Sequence, residues 1–155
     1  MKKNTFLAFC AFMILSGSLS AQGYKTAAGL QVDLGDGGTM VGPSIKHFFN
    51  DNSAVSGEVL FGNGITYLQA FYHYQKEISS ISGLGWYIGG GPSLGLGGGG
   101  SAFYLRPMSG LDYKLGGVPL SVTFDWRPFI YLGSGAGSSR FTGARFGLGC
   151  KYVLK

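Results

Sequence analysis

The two histidines, His47 and His73, are the residues of this 155-residue chain best suited to acid–base catalysis or metal binding. Both fall within predicted β-strands, but their positions place them on opposite faces of the sheet. A zinc site or a Ser–His pair needs partners that converge at one point. Pairing of His73 with an acid on its own face is conceivable, but an ordinary interior or interfacial histidine explains each position better. We therefore predict no catalytic residue, no cofactor and no metal site.

A glycine-rich run at 95–100 is the other feature that could suggest ligand chemistry. A phosphate-binding loop of this kind is followed by Lys and Ser or Thr and opens a helix, and neither signal is present. We interpret the run as part of a flexible loop. A lipid-modifying barrel enzyme would also need a nucleophile and a base, and the chain offers no convincing pair. The sequence therefore predicts a protein that is not an enzyme.

The first 21 residues have the three parts of a secretory signal peptide. Lys2 and Lys3 form a basic start, an apolar run covers 6–15, and small residues follow at 16–21. This run is about half of the roughly 20 residues that a spanning helix needs. We predict a leader at 1–21, cleaved after Ser20 or Ala21, and one domain at 22–155. Removal of the two lysines lowers the formal charge from +5 to +3, and no basic cluster remains that would suit nucleic acid.

Strict alternation of apolar and polar residues dominates the remaining chain. In the segment 120–131, Val122, Phe124 and Trp126 share one face, and Thr123 and Asp125 share the other. Eight such segments are predicted, most of them near the roughly 9 to 11 residues of a transmembrane strand. An even number of strands returns both chain ends to one side, and Asn63-Gly64 is a strong hairpin signal. The predicted segments are 24–33, 39–49, 54–62, 65–75, 83–93, 103–114, 120–131 and 141–153. The fold class is all-β, a closed antiparallel up-and-down transmembrane barrel of eight strands.

Charged residues of the predicted strands fall almost entirely on the inward face. An eight-stranded barrel is only wide enough inside to be filled by side chains, so we expect these charges to pair with one another. A binding pocket or narrow ion path near Arg106 and Arg127 is the functional alternative to plain polar filling. The predicted lumen network consists of Asp33, Lys46, Glu58, Arg106, Asp112, Lys114, Asp125, Arg127, Arg145 and Lys151.

Two further patterns concern the ends of the barrel. Prolines cannot donate to a strand ladder, so bulges or early ends of pairing are expected where they occur within strands, in the half nearer the outer surface. These prolines are Pro43, Pro92, Pro107 and Pro128. Aromatic residues near the other end are predicted to face outward as an interfacial girdle. They are Tyr24, Phe49, Tyr72, Tyr74, Tyr113 and Tyr152. The loops at the outer end, near 34–38, 62–64, 94–102 and 132–140, are short or glycine-rich.

The chain resembles the small outer-membrane β-barrel proteins of Bacteroidetes, which share the eight-stranded architecture of the OmpA and OmpX type. The resemblance rests on the leader ending Leu19-Ser-Ala-Gln22, on Val41-Gly-Pro-Ser44 with its echo Gly91-Pro-Ser93, on the segment 106–113 and on the alternating last strand. It implies export to the outer membrane, contact with outer-membrane lipid and with the export and barrel-assembly machinery, and a monomer. Such proteins often end on an aromatic residue, whereas this chain ends Tyr152-Val-Leu-Lys155.

Two function classes follow from these patterns. The first is an integral outer-membrane barrel, porin-like in fold, with a structural or small-solute or ion-related role and a lumen filled by polar side chains. The second is a secreted or periplasmic lipocalin-like barrel, in which the same apolar faces would surround an apolar ligand. The two differ in which face of each strand points inward.

Overall fold

The structure, a computed structural model, describes residues 24–133 and 140–154. The predicted leader at 1–21 lies outside these residues, so its cleavage stays a prediction. Ten strands form one sheet. They are β1 (Thr26–Gly35), β2 (Met40–Phe48), β3 (Ser53–Gly62), β4 (Ile65–Glu77), β5 (Leu84–Gly97), β6 (Gly100–Lys114), β7 (Leu120–Trp126), β8 (Phe129–Tyr131), β9 (Phe141–Thr142) and β10 (Arg145–Val153).

The sheet closes into a barrel of eight antiparallel staves, where a stave is either one strand or two strands in line. Strands β1 to β7 pair in chain order, and β10 pairs with both β7 and β1. The closing ladder runs from Ala27 opposite Val153 to Gly35 opposite Arg145. The short strands β8 and β9 continue the staves of β7 and β10 beyond a break, so each pair counts as one stave. The predicted all-β, eight-stranded closed barrel is confirmed.

The β3–β4 hairpin has the register that the sequence predicts. Glu58 lies opposite Gln69 and Val59 opposite Leu68, joined by a turn at Asn63 and Gly64. Both turn residues have positive φ, 52° and 73°, as a two-residue hairpin of this type requires. We call the end of the barrel with this turn the distal end, and the end with Tyr24 and Leu154, the first and last described residues, the terminal end.

The prediction of an outer loop at 94–102 is wrong. Strands β5 and β6 stay paired as far as Gly97 opposite Gly100, and only Gly98 and Gly99 form the turn. The alternation in fact continues through this segment. Leu96 and Phe103 face outward, and Gly95, Gly97 and Gly100 occupy the inward positions. A glycine-rich sequence thus hides a strand pair, since a missing side chain removes the pattern without removing the backbone ladder.

The prolines mark gaps in the ladders, as predicted, but only one gap changes the register. Pairing of β2 with β3 skips Pro43 and resumes unchanged, and pairing of β4 with β5 does the same near Pro92. Pro107 and Pro128 lie in one gap between β6 and the β7–β8 stave, and the register across it is also unchanged. The register changes only on the other side of Pro128, between the β7–β8 and β9–β10 staves.

A bulge accompanies Pro128 on the other side of its stave. Phe146 pairs with Trp126 below the gap and Thr142 pairs with Phe129 above it, so the β9–β10 stave holds one extra residue. The indole of Trp126, which faces outward, donates to the carbonyl of Gly143 inside this bulge at 2.6 Å.

Apolar side chains cover the outside of the barrel and polar ones fill the inside. Leu30 and Phe124 are 59% and 50% exposed on the outer face, whereas Arg106 is fully buried in the lumen. Strand β10 shows the rule most simply: Arg145, Gly147, Gly149 and Lys151 are buried, and the residues between them are exposed. No helix long and apolar enough to cross a membrane occurs among the described residues.

The aromatic girdle at the terminal end is present except for Tyr24. Tyr72, Tyr74 and Tyr113 are exposed on the outer face, with Trp86 beside Tyr74. Tyr24 instead lies inside and is 8% exposed. The prediction was wrong because Tyr24 precedes β1, so strand alternation does not direct its side chain.

We expect Gly64→Ala to destabilise the barrel by about 1 to 2 kcal/mol, the cost of a left-handed conformation for an L-residue. A matched control is Gly116→Ala, because neither glycine has an atom within 4 Å of an added Cβ and only Gly64 has a positive φ. The control is expected to be neutral or slightly stabilising. Urea unfolding of both variants in detergent micelles measures the difference, and equal effects would contradict the turn assignment.

Candidate functional site

Among the described residues, the lumen holds five ion pairs, which join eight of the ten residues that the sequence singles out. Every one of these eight side chains is nearly inaccessible to solvent. Inward-facing positions on six different staves supply them, so the closed sheet itself brings the charges together. They divide into three clusters along the barrel axis.

The cluster nearest the terminal end is built around Asp112 of β6. Lys46 Nζ lies 2.8 Å from its Oδ2 atom and also donates to Gln75 Oε1 at 2.6 Å. The hydroxyl of Tyr24 donates to the same carboxylate at 2.5 Å, and Ser121 donates to its other oxygen. The ring of Tyr24 thus reaches across the mouth of the barrel from the start of β1 to β6.

The middle cluster places Arg127 between two carboxylates. Its Nη1 atom lies 2.8 Å from Glu58 Oε2, and its Nη2 atom donates to Asp125 Oδ2 at 2.7 Å. A second bond from Nε to Asp125 makes that contact bidentate, a strong geometry for a guanidinium. Tyr87 donates its hydroxyl to Asp125 at 2.5 Å.

The third cluster places Asp33 between two arginines. Arg145 approaches its Oδ1 atom at 2.7 Å, and Arg106 Nη1 lies 2.8 Å from its Oδ2 atom. The Arg106 contact is ionic and not a well-directed hydrogen bond, because Asp33 Oδ2 has no hydrogen-bond partner among the described residues. Arg106 also donates to Gln69 Oε1 and to the backbone carbonyl of Arg127, which links this cluster to the middle one.

Apolar and aromatic side chains cap the charged clusters at the distal end. Phe129 packs with Met40 and Leu60, and Tyr67 and Tyr104 lie against them. The Arg106 guanidinium stacks on the Phe129 ring at 3.7 Å from its centroid. A cavity of about 170 Å³, lined in part by Tyr67, Tyr104 and Arg145, opens beside this layer. The lumen is therefore filled by side chains and does not form a wide channel.

Lys114 does not belong to the lumen network, contrary to the prediction. It is the last residue of β6, and its Nζ atom donates to the carbonyls of Leu115 and Val118, each at 3.2 Å. Alternation alone did not reveal this, because a long side chain at the end of a strand can turn back to the adjoining turn. Lys151 is buried in the lumen as predicted but forms no ion pair with a described residue, and its side chain donates to Gln31 Oε1 at 3.2 Å.

Two glycines of β10 give the clusters room. Gly147 lies between Asp33 and Asp125 in the register, and Gly149 lies between Gln31 and Thr123. A Cβ at Gly147 would stand 2.4 Å from Arg127 Nε and 2.6 Å from Asp125 Oδ1. Charged side chains of the β7–β8 stave therefore occupy the space over Gly147, and the polar side chains of Thr123 and Gln31 occupy the space over Gly149.

The histidines do not form a site together. His73 is buried and its Nε2 atom is 2.6 Å from Ser56 Oγ, while its Nδ1 atom has no partner among the described residues. A base oriented for catalysis would have an acid at Nδ1. His47, on the other face, contacts Thr26 Oγ1 at 2.8 Å. No group of three or more residues able to hold a metal ion occurs in the part of the chain that is described.

Several network members were not singled out from the sequence. Tyr87 could have been found, because it alternates with outward Trp86 and so must face inward. Gln31 and Gln69 also occupy inward positions, but uncharged amides carry no signal that separates them from ordinary polar filling. Tyr24 gives no such signal, because it lies outside the regular strands.

The fold is that of an eight-stranded antiparallel barrel of the outer-membrane type, with an apolar outside and a charged, filled lumen. A solved structure of this kind, Neisserial surface protein A, is similar with a TM-score of 0.54 and 15% sequence identity. The similarity covers 83% of this chain and 94% of that protein. At this identity the likeness concerns the fold alone. No family model and no curated protein sequence matches the chain.

We expect Gly147→Ala to disrupt the middle cluster, because the added methyl would occupy the space of the Arg127–Asp125 contact. Breaking a buried ion pair costs about 3 to 5 kcal/mol, so folded barrel should be largely lost. Gly57→Ala is the control, since a Cβ there would meet only Ile45 Cγ2 at 3.8 Å. The temperature at which each variant loses its compact migration on a gel measures the effect. If Gly147→Ala behaved like the control, the cluster would not occupy that space.

Proposed function

We propose that this chain is an integral outer-membrane protein whose role is structural, with a lumen closed to free diffusion of solutes. The observation that carries the proposal is the distribution of the side chains. Leucine, valine, isoleucine and phenylalanine cover the outer wall, and the charged residues of the strands are buried inside except at the strand ends, where Lys76, Glu77 and Lys114 lie. Such a wall suits lipid, because hydrocarbon solvates apolar side chains and a closed barrel has no unpaired edge strand.

The lipocalin-like alternative requires the opposite arrangement. A barrel that binds an apolar ligand needs apolar residues around its cavity, and here the interior contains five ion pairs. In water, the exposed outer faces of Leu30, Ile45 and Phe124 would form a large apolar surface of the kind that soluble monomers avoid. The orientation of the strands therefore argues against a soluble binder.

The filled lumen also favours a structural role over open transport. Charged clusters occupy the interior along its length, and the Phe129 layer covers them at the distal end. A role with small solutes or ions is the second candidate, supported by the cavity beside Arg145 and by the polarity of the interior. The predicted leader at 1–21 would supply export, and the barrel-assembly machinery would then insert the chain as a monomer.

Membrane fractionation with gel migration tests the proposal. We expect the protein to be recovered with the outer membrane, to require detergent for extraction and to migrate faster before boiling than after it. This shift arises because a closed barrel stays compact in detergent until heat breaks its ladder. Recovery in the periplasm without detergent, and without a shift on boiling, would overturn the membrane assignment.

Arginine substitutions at two depths of one stave test the lipid-facing surface. Phe124 lies near the middle of the β7–β8 stave, so Phe124→Arg should destabilise insertion by about 2 to 4 kcal/mol. Leu120→Arg, at the terminal end of the same stave, should cost only about 0 to 1 kcal/mol because the cation reaches the interface. The yield of heat-modifiable barrel in the outer membrane provides the comparison. Equal yields would mean that this face does not contact hydrocarbon.

A further inference from the structure

Two cavities lie side by side at the distal end of the barrel. The first, of about 170 Å³, is bordered by the β1–β2 turn, the β3–β4 turn and the β9–β10 stave. The second, of about 240 Å³, lies against the inner face of the β5–β6 hairpin. Ile65, Tyr67 and Tyr104 line both of them, so the two cavities are adjacent and share the tyrosine pair as a border.

Three aromatic rings line the first cavity together. The ring centroids of Tyr67 and Tyr104 are 6.3 Å apart, and those of Tyr104 and Phe129 are 4.9 Å apart. Both tyrosine rings also lie on the bare backbone of Gly95, because a Cβ there would be 3.1 Å from Tyr67 Cε1 and 3.5 Å from Tyr104 Cε2. The two tyrosines are half-buried, so an aromatic surface faces the cavity.

Polar side chains from three other segments border the same cavity. They are Asp36 in the β1–β2 turn, Asn63 in the β3–β4 turn and Thr142 in β9. Asn63 Nδ2 donates to the carbonyl of Gly37 at 2.6 Å, which joins the two turns. Asp36 is exposed, and among the described residues its carboxylate forms no ion pair. The cavity therefore combines an aromatic surface with a carboxylate, an amide and a hydroxyl.

The charges around the cavity favour a neutral ligand. All three nitrogens of Arg145 already donate, to the carboxylate of Asp33 or to the backbone carbonyl of Asp36, and the Asp36 carboxylate would repel an anion. A cation is disfavoured as well. The guanidinium groups of Arg106 and Arg145 lie 3.7 and 5.2 Å from the centroid of Phe129, and the two share one carboxylate.

We propose that the first cavity binds the pyranose ring of a sugar. Such a ring has apolar C–H faces, which pack on aromatic rings, and hydroxyl groups around its edge, which donate to acceptors such as the Asp36 carboxylate. An engineered cavity of about 150 Å³ holds one benzene ring, so a volume of about 170 Å³ suits a single six-membered ring.

The second cavity gives room for the group to which the ring is joined. Its border at Gly97, Gly98 and Gly100 has no side chains. The ring therefore comes either from a free glycoside or from the headgroup of a glycolipid. The proposal concerns this cavity alone and does not depend on whether the lumen beneath it is closed, so its failure would leave the structural role proposed above untouched.

A titration followed by nuclear magnetic resonance tests the binding. The full barrel, with ¹³C-labelled tyrosine, is refolded in a detergent without a sugar headgroup, and methyl glycosides of glucose, galactose, mannose and N-acetylglucosamine are added in turn. We expect at least one of them to shift the ring signals of Tyr67 and Tyr104 saturably. The signals of Tyr113, which is exposed on the outer face at the terminal end, should stay in place.

Two comparison compounds separate a sugar site from other cavities. Sorbitol has similar hydroxyl groups but no ring, and cyclohexanol has a six-membered ring but a single hydroxyl group. Neither should match the best glycoside. Absence of a shift with all four glycosides, or equal binding of sorbitol or cyclohexanol, would overturn the proposal.

Matched substitutions test which side chains recognise the ring. Asp36→Asn should weaken binding about fivefold, because a neutral amide accepts a hydrogen bond less strongly than a carboxylate. Asp51→Asn, at an exposed acid of the β2–β3 turn at the terminal end, is its control. Tyr67→Leu should weaken binding by a similar factor because it removes a stacking surface, and Tyr113→Leu is its control.

Heat-modifiable migration on a gel shows that each variant is folded, and Asp36→Asn keeps the test open if Tyr67→Leu fails to fold, because Asp36 lies in a turn. Unchanged affinity in a folded test variant, or equal losses in test and control variants, would contradict the site.

A glycolipid that carries the best-binding sugar distinguishes the two sources of the ring. It is added to the same micelles, and its half-saturation concentration is compared with that of the methyl glycoside. A lower value for the glycolipid assigns the site to a lipid headgroup, and a lower value for the methyl glycoside assigns it to a free sugar. Either result supports the ring site.

Discussion

The need to neutralise charge within a closed space governs this structure. Because strand alternation directs apolar residues outward along every stave, the polar residues between them have no place except the lumen. Ions removed from water require partners at contact distance, so each carboxylate lies between cations or hydroxyl donors. Asp33 between two arginines and Arg127 between two carboxylates are the result. The register of the barrel therefore determines which charges can pair, and the need to pair those charges in turn favours that register.

Residue size around β10 makes this pairing possible. Arg127 and Asp125 of the neighbouring stave need space at the height of Gly147, and Gly147 supplies it by having no side chain. The glycine content of the chain thus serves packing as well as turns. At Asn63 and Gly64 the positive φ angle restricts which residue can be present. At Gly147 the neighbouring side chains leave no space for a Cβ. A glycine count alone would not separate these two roles.

The barrel could be predicted from the sequence because its alternation is strict and its hairpin signals are local. The face and register of Glu58, for example, follow from the Asn63-Gly64 turn. Features that depend on side-chain reach could not be predicted in this way. The Lys114 side chain turns back to a backbone carbonyl, and Tyr24 enters the mouth of the barrel from a position before β1. The glycines at the end of β5 have no side chain to mark an inward position, so the pairing of this segment is not visible in the sequence. Which inward charges form ion pairs depends on the offset between neighbouring staves in three dimensions. A list of inward-facing residues does not give this offset.

The position of Tyr24 bears on the order in which the barrel can be completed. The first and last staves of the chain form the seam, and Tyr24 enters β1 at that seam while its hydroxyl is held by Asp112 on the other side of the lumen. The phenol thus links the residues before β1 to β6, which is the third stave from β1 around the barrel. Opening the seam would pull the ring from Asp112 and expose a buried carboxylate. The Tyr24–Asp112 hydrogen bond therefore spans the seam, so closure of the last stave and placement of this side chain are coupled.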